Sequence, residues 1–141
     1  MPDGRVPNIS SVRKARGIGR LSMSAPLSTP ACRPAPPVRA VAEFRPKSVQ
    51  PAGPGRWVFD MGQNFAGAVR LRVSGSAGKR ITLRYAERLN PDGSVYITNL
   101  RAARSRDLYL CRGRGTEEWE PRFTFHGFQY VEISGVASAS A

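Results

Sequence analysis

Ala68-Val-Arg-Leu-Arg-Val73 is the stretch on which the fold class turns. Val69, Leu71 and Val73 share one parity and Arg70 and Arg72 the other, the period of two that belongs to a half-buried β-strand. After Gly75-Ser-Ala-Gly78, the segment Arg80 to Leu89 resumes the alternation, with Ile81, Leu83 and Tyr85 set against Thr82 and Arg84. The two segments read as a hairpin.

Downstream, Asn90-Pro-Asp-Gly93 is a turn, because Pro presets its backbone angle and Gly accepts a positive one. Ser94 to Arg104 is ambiguous, with a short helical turn over Asn99 to Ala103, and Asp107 to Cys111 returns as a strand. Arg112-Gly-Arg-Gly115 turns the chain into Glu117 to Ser134, where Phe123 and Phe125 lie on one parity and Phe128 and Tyr130 on the other. A bulge at His126-Gly127 would keep all four near the core. Upstream, Arg56 to Asp60 is a strand, and Val38 to Val49 is a strand region that Pro46 breaks or confines to an edge. About six strands at spacings of roughly ten residues, without long helices, predict an all-β fold, an antiparallel β-sandwich.

Residues 1–37 lack hydrophobic periodicity and are rich in Pro, Ser, Arg and Gly, which predicts a disordered or extended leader outside the fold. Residues 38–135 form the predicted domain, and 136–141 a tail. No window is long and apolar enough for a membrane span. Gly17, Gly19 and Arg20 interrupt what would be the apolar stretch of a secretory signal, so the expected location is cytoplasmic. Cys32 and Cys111 are far apart and specify neither a disulfide framework nor a metal site; the expectation is two unpaired thiols in a reducing compartment.

The net charge is +12, and residues 1–42 carry seven basic and one acidic side chain. Such a chain attracts phosphates nonspecifically, but few aromatics interleave with the basic residues, so no specific nucleic-acid recognition is expected.

Two dense motifs remain, Val58-Phe-Asp-Met-Gly-Gln-Asn-Phe-Ala-Gly67 and Trp119-Glu-Pro-Arg-Phe-Thr-Phe-His-Gly-Phe-Gln-Tyr-Val131. With Pro37-Val-Arg-Ala-Val-Ala-Glu-Phe-Arg-Pro46, Arg84-Tyr-Ala-Glu-Arg-Leu-Asn-Pro-Asp-Gly93, Asn99-Leu-Arg-Ala-Ala103 and Asp107-Leu-Tyr109 between and around them, they resemble the concanavalin-like β-sandwich module of bacterial α-L-rhamnosidases over Pro36 to Gly135. Met61, Ala68 and Gln129 depart from the usual pattern, which more often has an aromatic, a Trp and an Arg there. The resemblance implies a jelly-roll type sandwich that precedes a catalytic (α/α)-barrel, in which an acidic general acid and an acidic general base carry out inverting hydrolysis. Such a pair stands roughly 6.5–9.5 Å apart to admit a water. Because the sequence stops at Ala141, the expectation is a non-catalytic accessory piece without that barrel, partnered by one if it is encoded separately. Alternatives are a stand-alone carbohydrate-binding module for rhamnose-containing glycans and a weak nucleic-acid binder.

Asp60, Glu87, Asp92 and Asp107 are the acids to weigh as catalysts; arginines or turn residues flank each, as on a solvated surface, and no catalytic residue is assigned. The carbohydrate-contact candidates are Gln63 and Asn64, whose amides suit sugar hydroxyls and equally cap turns; Trp57, a stacking platform or a core aromatic; Glu87; and His126, a titratable group or a structural hydrogen-bonder. No metal ligand set, Gly-rich phosphate loop or cofactor motif is present in the sequence.

Overall fold

A computed structural model describes residues 8–16 and 37–140. Cys32 and the predicted leader apart from residues 8–16 and 37 lie outside the described residues. The strands are β1 (Asn8–Arg16), β2 (Arg39–Phe44), β3 (Ser48–Pro51), β4 (Arg56–Ser74), β5 (Arg80–Ala86), β6 (Arg106–Leu110), β7 (Thr116–Trp119) and β8 (His126–Ser134), with one 3-10 turn at Thr98–Leu100. All pair antiparallel, in the order β2-β1-β4-β8-β5-β6, with β3 and β7 also pairing β4.

The architecture follows from β4, which runs 19 residues. Its first half pairs with β3 and β8, and its second half with β1 and β7. One continuous sheet therefore curls over itself. Val69, Leu71 and Val73 of the second half share a core with Leu83 and Tyr85 of β5 and Val131 and Ile133 of β8, so the predicted antiparallel sandwich is present with its two layers joined through β4. Alternation drives this burial: the odd-numbered residues Phe59, Met61, Phe65, Val69, Leu71 and Val73 all face inward. A smaller cluster of Val58, Ala86 and Val95 lies apart from the main core.

Five expectations need correction. Residues 8–16, placed in the leader by sequence, form β1 between β2 and β4, and Val12 is completely buried. Its apolar residues are too sparse for a strand signal, and pairing on both sides supplies the stabilisation instead. The predicted hairpin of 68–73 with 80–89 is absent: β5 pairs β6 and β8, not β4. Alternation specifies the face that is buried but not the neighbour, and here the turn at 75–78 carries the chain across the core, tied to Cys111 O through the Gly78 N–H. Phe123 and Phe125 are 96% and 43% exposed rather than core residues, because β8 starts only at His126. The pairing irregularity lies at Gln129: Asp60 pairs Tyr130 and Phe65 pairs Phe128, leaving Met61 to Asn64 of β4 as a bulge opposite Gln129 alone. Gly62 there has φ 76°, a conformation favourable to glycine. Finally, Val136 lies in the expected tail but is buried in the main core.

The remaining turns hold. β2 and β3 flank the expected break at Pro46, and the Gly93 N–H bonds to Asn90 O at 3.0 Å, while Asp92 Oδ1 accepts from the Ser94 N–H and hydroxyl.

Candidate functional site

Two surface regions concentrate polar chemistry. The first crosses β8, β5 and β6. His126 stacks on Tyr85, ring centroids 4.2 Å apart, and reaches over β5 so that its Nε2 lies 3.3 Å from Asp107 Oδ1 and its Nδ1 3.3 Å from Ser105 Oγ. Asp107 Oδ2 accepts the Tyr85 hydroxyl proton at 2.6 Å. An ionised Asp107 only accepts, so His126 Nε2 carries the proton, and in the neutral ring Nδ1 accepts from Ser105. Burial pushes the Asp107 carboxyl upward, but the bonds from His126 and Tyr85 outweigh it and hold it below the usual carboxylate range. Burial and the neighbouring Asp107 charge drive the Tyr85 phenol well above its ordinary value. Asp107 is thus a half-buried, doubly bonded group rather than the solvated acid expected from its flanking arginines. The network straps β6 to β8 across the intervening strand.

Glu87 is exposed beside this network, its Oε1 lying 3.8 Å from where a Cβ on Gly127 would stand. Gln63 and Asn64 project from the bulged part of β4 and are exposed. Trp57 packs against the main core, and its indole Nε1 is buried without a partner. Trp119 likewise packs on the core and contacts Tyr109, centroids 5.5 Å apart. The structure therefore brings Glu87 next to the His126–Gly127 step, while Trp57 points to the interior.

The second region was not read from sequence. A groove of about 290 Å³ opens between Arg13 of β1, Ala68 of β4, the start of β2 and the irregular segment that precedes β8. Val38 and Ala68 line it with Phe123 and Phe125. Its charged border begins at Arg13, whose Nε lies 3.0 Å from Glu43 and 3.8 Å from Glu120; Arg70 lies 3.3 Å from Glu120 and 3.0 Å from Glu43. The Arg13 hydrogen bond, with both guanidinium charges, holds the Glu43 carboxyl below its usual value. Parity assigned Phe123 and Phe125 to the core; the signal against it was Pro121, which breaks the strand before them.

Glu117 and Glu132 are buried carboxylates that sequence did not single out. Glu117 accepts the N–H groups of Arg112, Gly113 and Arg114 and the Tyr109 hydroxyl, and those bonds bring its carboxyl down to about 2. Glu132 is paired with Arg84 at 3.2 Å. Among the described residues no His, Cys, Asp and Glu group could hold a metal ion, and no helix is long and apolar enough to cross a membrane.

Residues 50–141 match the family described as the bacterial alpha-L-rhamnosidase concanavalin-like domain. An alpha-L-rhamnosidase of Streptomyces avermitilis is 54% identical over 99 residues, which is 70% of this chain and 10% of that protein. One from Formosa agariphila is 49% identical over 78 residues, 55% of this chain and 8% of that protein. Among solved structures, the Streptomyces avermitilis alpha-L-rhamnosidase complexed with L-rhamnose superposes with a TM-score of 0.69 at 54% identity, covering 71% of this chain and 10% of that one. The alpha-L-rhamnosidase from Dictyoglumus thermophilum gives 0.71 at 39% identity, covering 75% and 12%. The chain spans about a tenth of the length of the curated relatives it matches.

Proposed function

The chain belongs to the family of bacterial α-L-rhamnosidase concanavalin-like domains, and from that premise we propose that it is a non-catalytic accessory β-domain of an α-L-rhamnosidase-type glycoside hydrolase, a scaffold for a catalytic (α/α)-barrel. What carries the reading is the state of its carboxylates. Inverting hydrolysis needs two carboxyl groups roughly 6.5–9.5 Å apart, one to protonate the leaving oxygen and one to activate water. Here Asp60, Asp92, Asp107 and Glu117 are bound by backbone or side-chain donors, and Glu43, Glu118, Glu120 and Glu132 pair with arginines. Only Glu87, among the described residues, has neither kind of partner, and one free carboxylate does not make an acid and a base.

Two measurements test the role. The chain alone is assayed on an aryl α-L-rhamnoside, with no turnover expected. It is also substituted for the corresponding segment of the Streptomyces avermitilis relative. Retained activity of that chimera, with loss on deletion of the segment, is the expected result. Turnover by the isolated chain, or a deletion that leaves the relative fully active, overturns the proposal.

A further inference from the structure

The groove beside Ala68 has a composition that the scaffold role does not use. Its lining exposes aromatic surface, Phe123 at 96% and Phe125 at 43%, an expensive arrangement for side chains with no polar atom. Its floor is open because Ala68 has only a methyl group there. Four charged residues border it: Arg13, Arg39, Glu120 and Arg122. Arg13 and Glu120 already neutralise one another within the ion-pair cluster of β1, β2 and β4. Arg39 and Arg122, among the described residues, have no ion pair and no side-chain hydrogen bond. The groove therefore offers apolar ring faces, two uncompensated guanidinium groups, and a neutralised donor-acceptor pair.

We infer that this groove binds an acidic sugar residue, a pyranose bearing a carboxylate, with the ring on Phe123 and Phe125 and the carboxylate between Arg39 and Arg122. Each part of the ligand answers one part of the groove. The C–H face of a pyranose covers aromatic surface without burying a hydroxyl unpaired. The carboxylate matches the planar fork of a guanidinium and forms charge-assisted bonds. Neighbouring hydroxyls both donate and accept, which suits Arg13 as donor and Glu120 as acceptor. An aromatic carboxylate would satisfy the rings and the arginines but would offer no hydroxyls to the Arg13–Glu120 edge, whose charges are already paired. A volume of about 290 Å³ is at the small end for ligand pockets, fitting for one or two sugar units. The site is distinct from Gln63, Asn64, Glu87 and His126, and it does not rest on the scaffold role.

Titration of the isotope-labelled full chain by NMR tests it with three small probes: sodium D-galacturonate, D-galactose, which has the ring without the charge, and sodium acetate, which has the charge without the ring. Galacturonate is expected to shift the Phe123, Phe125, Arg39 and Arg122 resonances saturably, with both other probes about tenfold weaker or more. Phe123→Ala and Arg122→Gln, both at exposed positions, should each weaken binding about fivefold or more while leaving the remaining spectrum unchanged. Ala68→Trp should fill the floor and abolish binding. Equal binding of galactose, equal binding of acetate, indifference to Phe123→Ala and Arg122→Gln, or no shift at the groove overturns the inference. None of these outcomes bears on the chimera, so the two proposals fail separately.

Discussion

Asp60 and Gln129 face each other across the mismatch between β4 and β8, and the Gln129 side-chain amide donates to Asp60 Oδ1 at 3.1 Å. The same oxygen accepts the Gly62 N–H at 2.6 Å. One carboxylate thus fixes the bulged residues to both strands. Asp60→Ala removes the acceptor of both bonds and should cost about 1–3 kcal/mol in urea denaturation. Gln129→Arg retains a donor to the carboxylate and should stay within about 1 kcal/mol of the parent chain. Equal losses in both variants would show that the contact does not organise the bulge.

The bulge also marks where reading the sequence stops working. Alternation in Ala68 to Val73 and Arg80 to Tyr85 identified real strands and their buried faces, because inward side chains alone generate that signal. It could not identify strand partners, and the expected hairpin dissolved into pairings with β1, β7, β6 and β8. Gln63 and Asn64 were legible as projecting amides through the flanking glycines. The groove was not, since its lining comes from β1, β4, the start of β2 and the segments before β2 and β8, and only the curled sheet brings Arg13, Val38, Ala68 and Phe123 together.

Glu117 should give the chain a distinct acid sensitivity. Its folded carboxyl titrates at about 2 against an ordinary 4.5, so the unfolded state binds the proton more readily. The stabilisation is fully present above about pH 4.5 and is lost as pH falls toward 2. Glu117→Gln places an amide donor against the N–H groups of Arg112 and Gly113 and should lower Tm at neutral pH. The Tm gap between the two proteins should then narrow on acidification. Glu43 and Asp107 are also held low, but they titrate in both proteins and cancel in the difference. A gap that stays constant across the acid range would refute the assignment.

His126→Ala removes the stack on Tyr85 and both links across β5. A loss of about 1–3 kcal/mol is expected from the ring contact and the partner left on Asp107. Ser105→Ala removes only the weaker link and should cost about 1 kcal/mol or less. Guanidinium denaturation of the two variants orders them; a larger effect at Ser105 would mean that the strap runs through Nδ1 instead.

Leu83 and Phe123 separate core from surface. Leu83 is fully buried and Phe123 is 96% exposed. Leu83→Ala should cost about 2–5 kcal/mol through lost transfer energy and the cavity left behind, whereas Phe123→Ala should change stability by about 0.5 kcal/mol or less. Thermal denaturation of both reports the contrast. Substantial destabilisation by Phe123→Ala would place that ring in a packed environment and remove it from the groove.

Gly67 tests whether β1 belongs to the sheet. A Cβ on Gly67 would stand 2.3 Å from the Arg13 carbonyl oxygen, far inside van der Waals contact, and Gly67 pairs with Lys14 on one side and His126 on the other. Because backbone blocks the new methyl group, the cheapest relief is for β1 to withdraw, which uncovers the core at Val12. Gly67→Ala should therefore cost about 1–3 kcal/mol and selectively abolish hydrogen-exchange protection in residues 8–16. Protection in β5 and β8 should persist, since their mutual pairing from Thr82 with Ser134 to Ala86 with Tyr130 does not pass through β1. If residues 8–16 exchange freely in the parent chain and Gly67→Ala is neutral, the sheet ends at β4 on that side, and the groove loses Arg13.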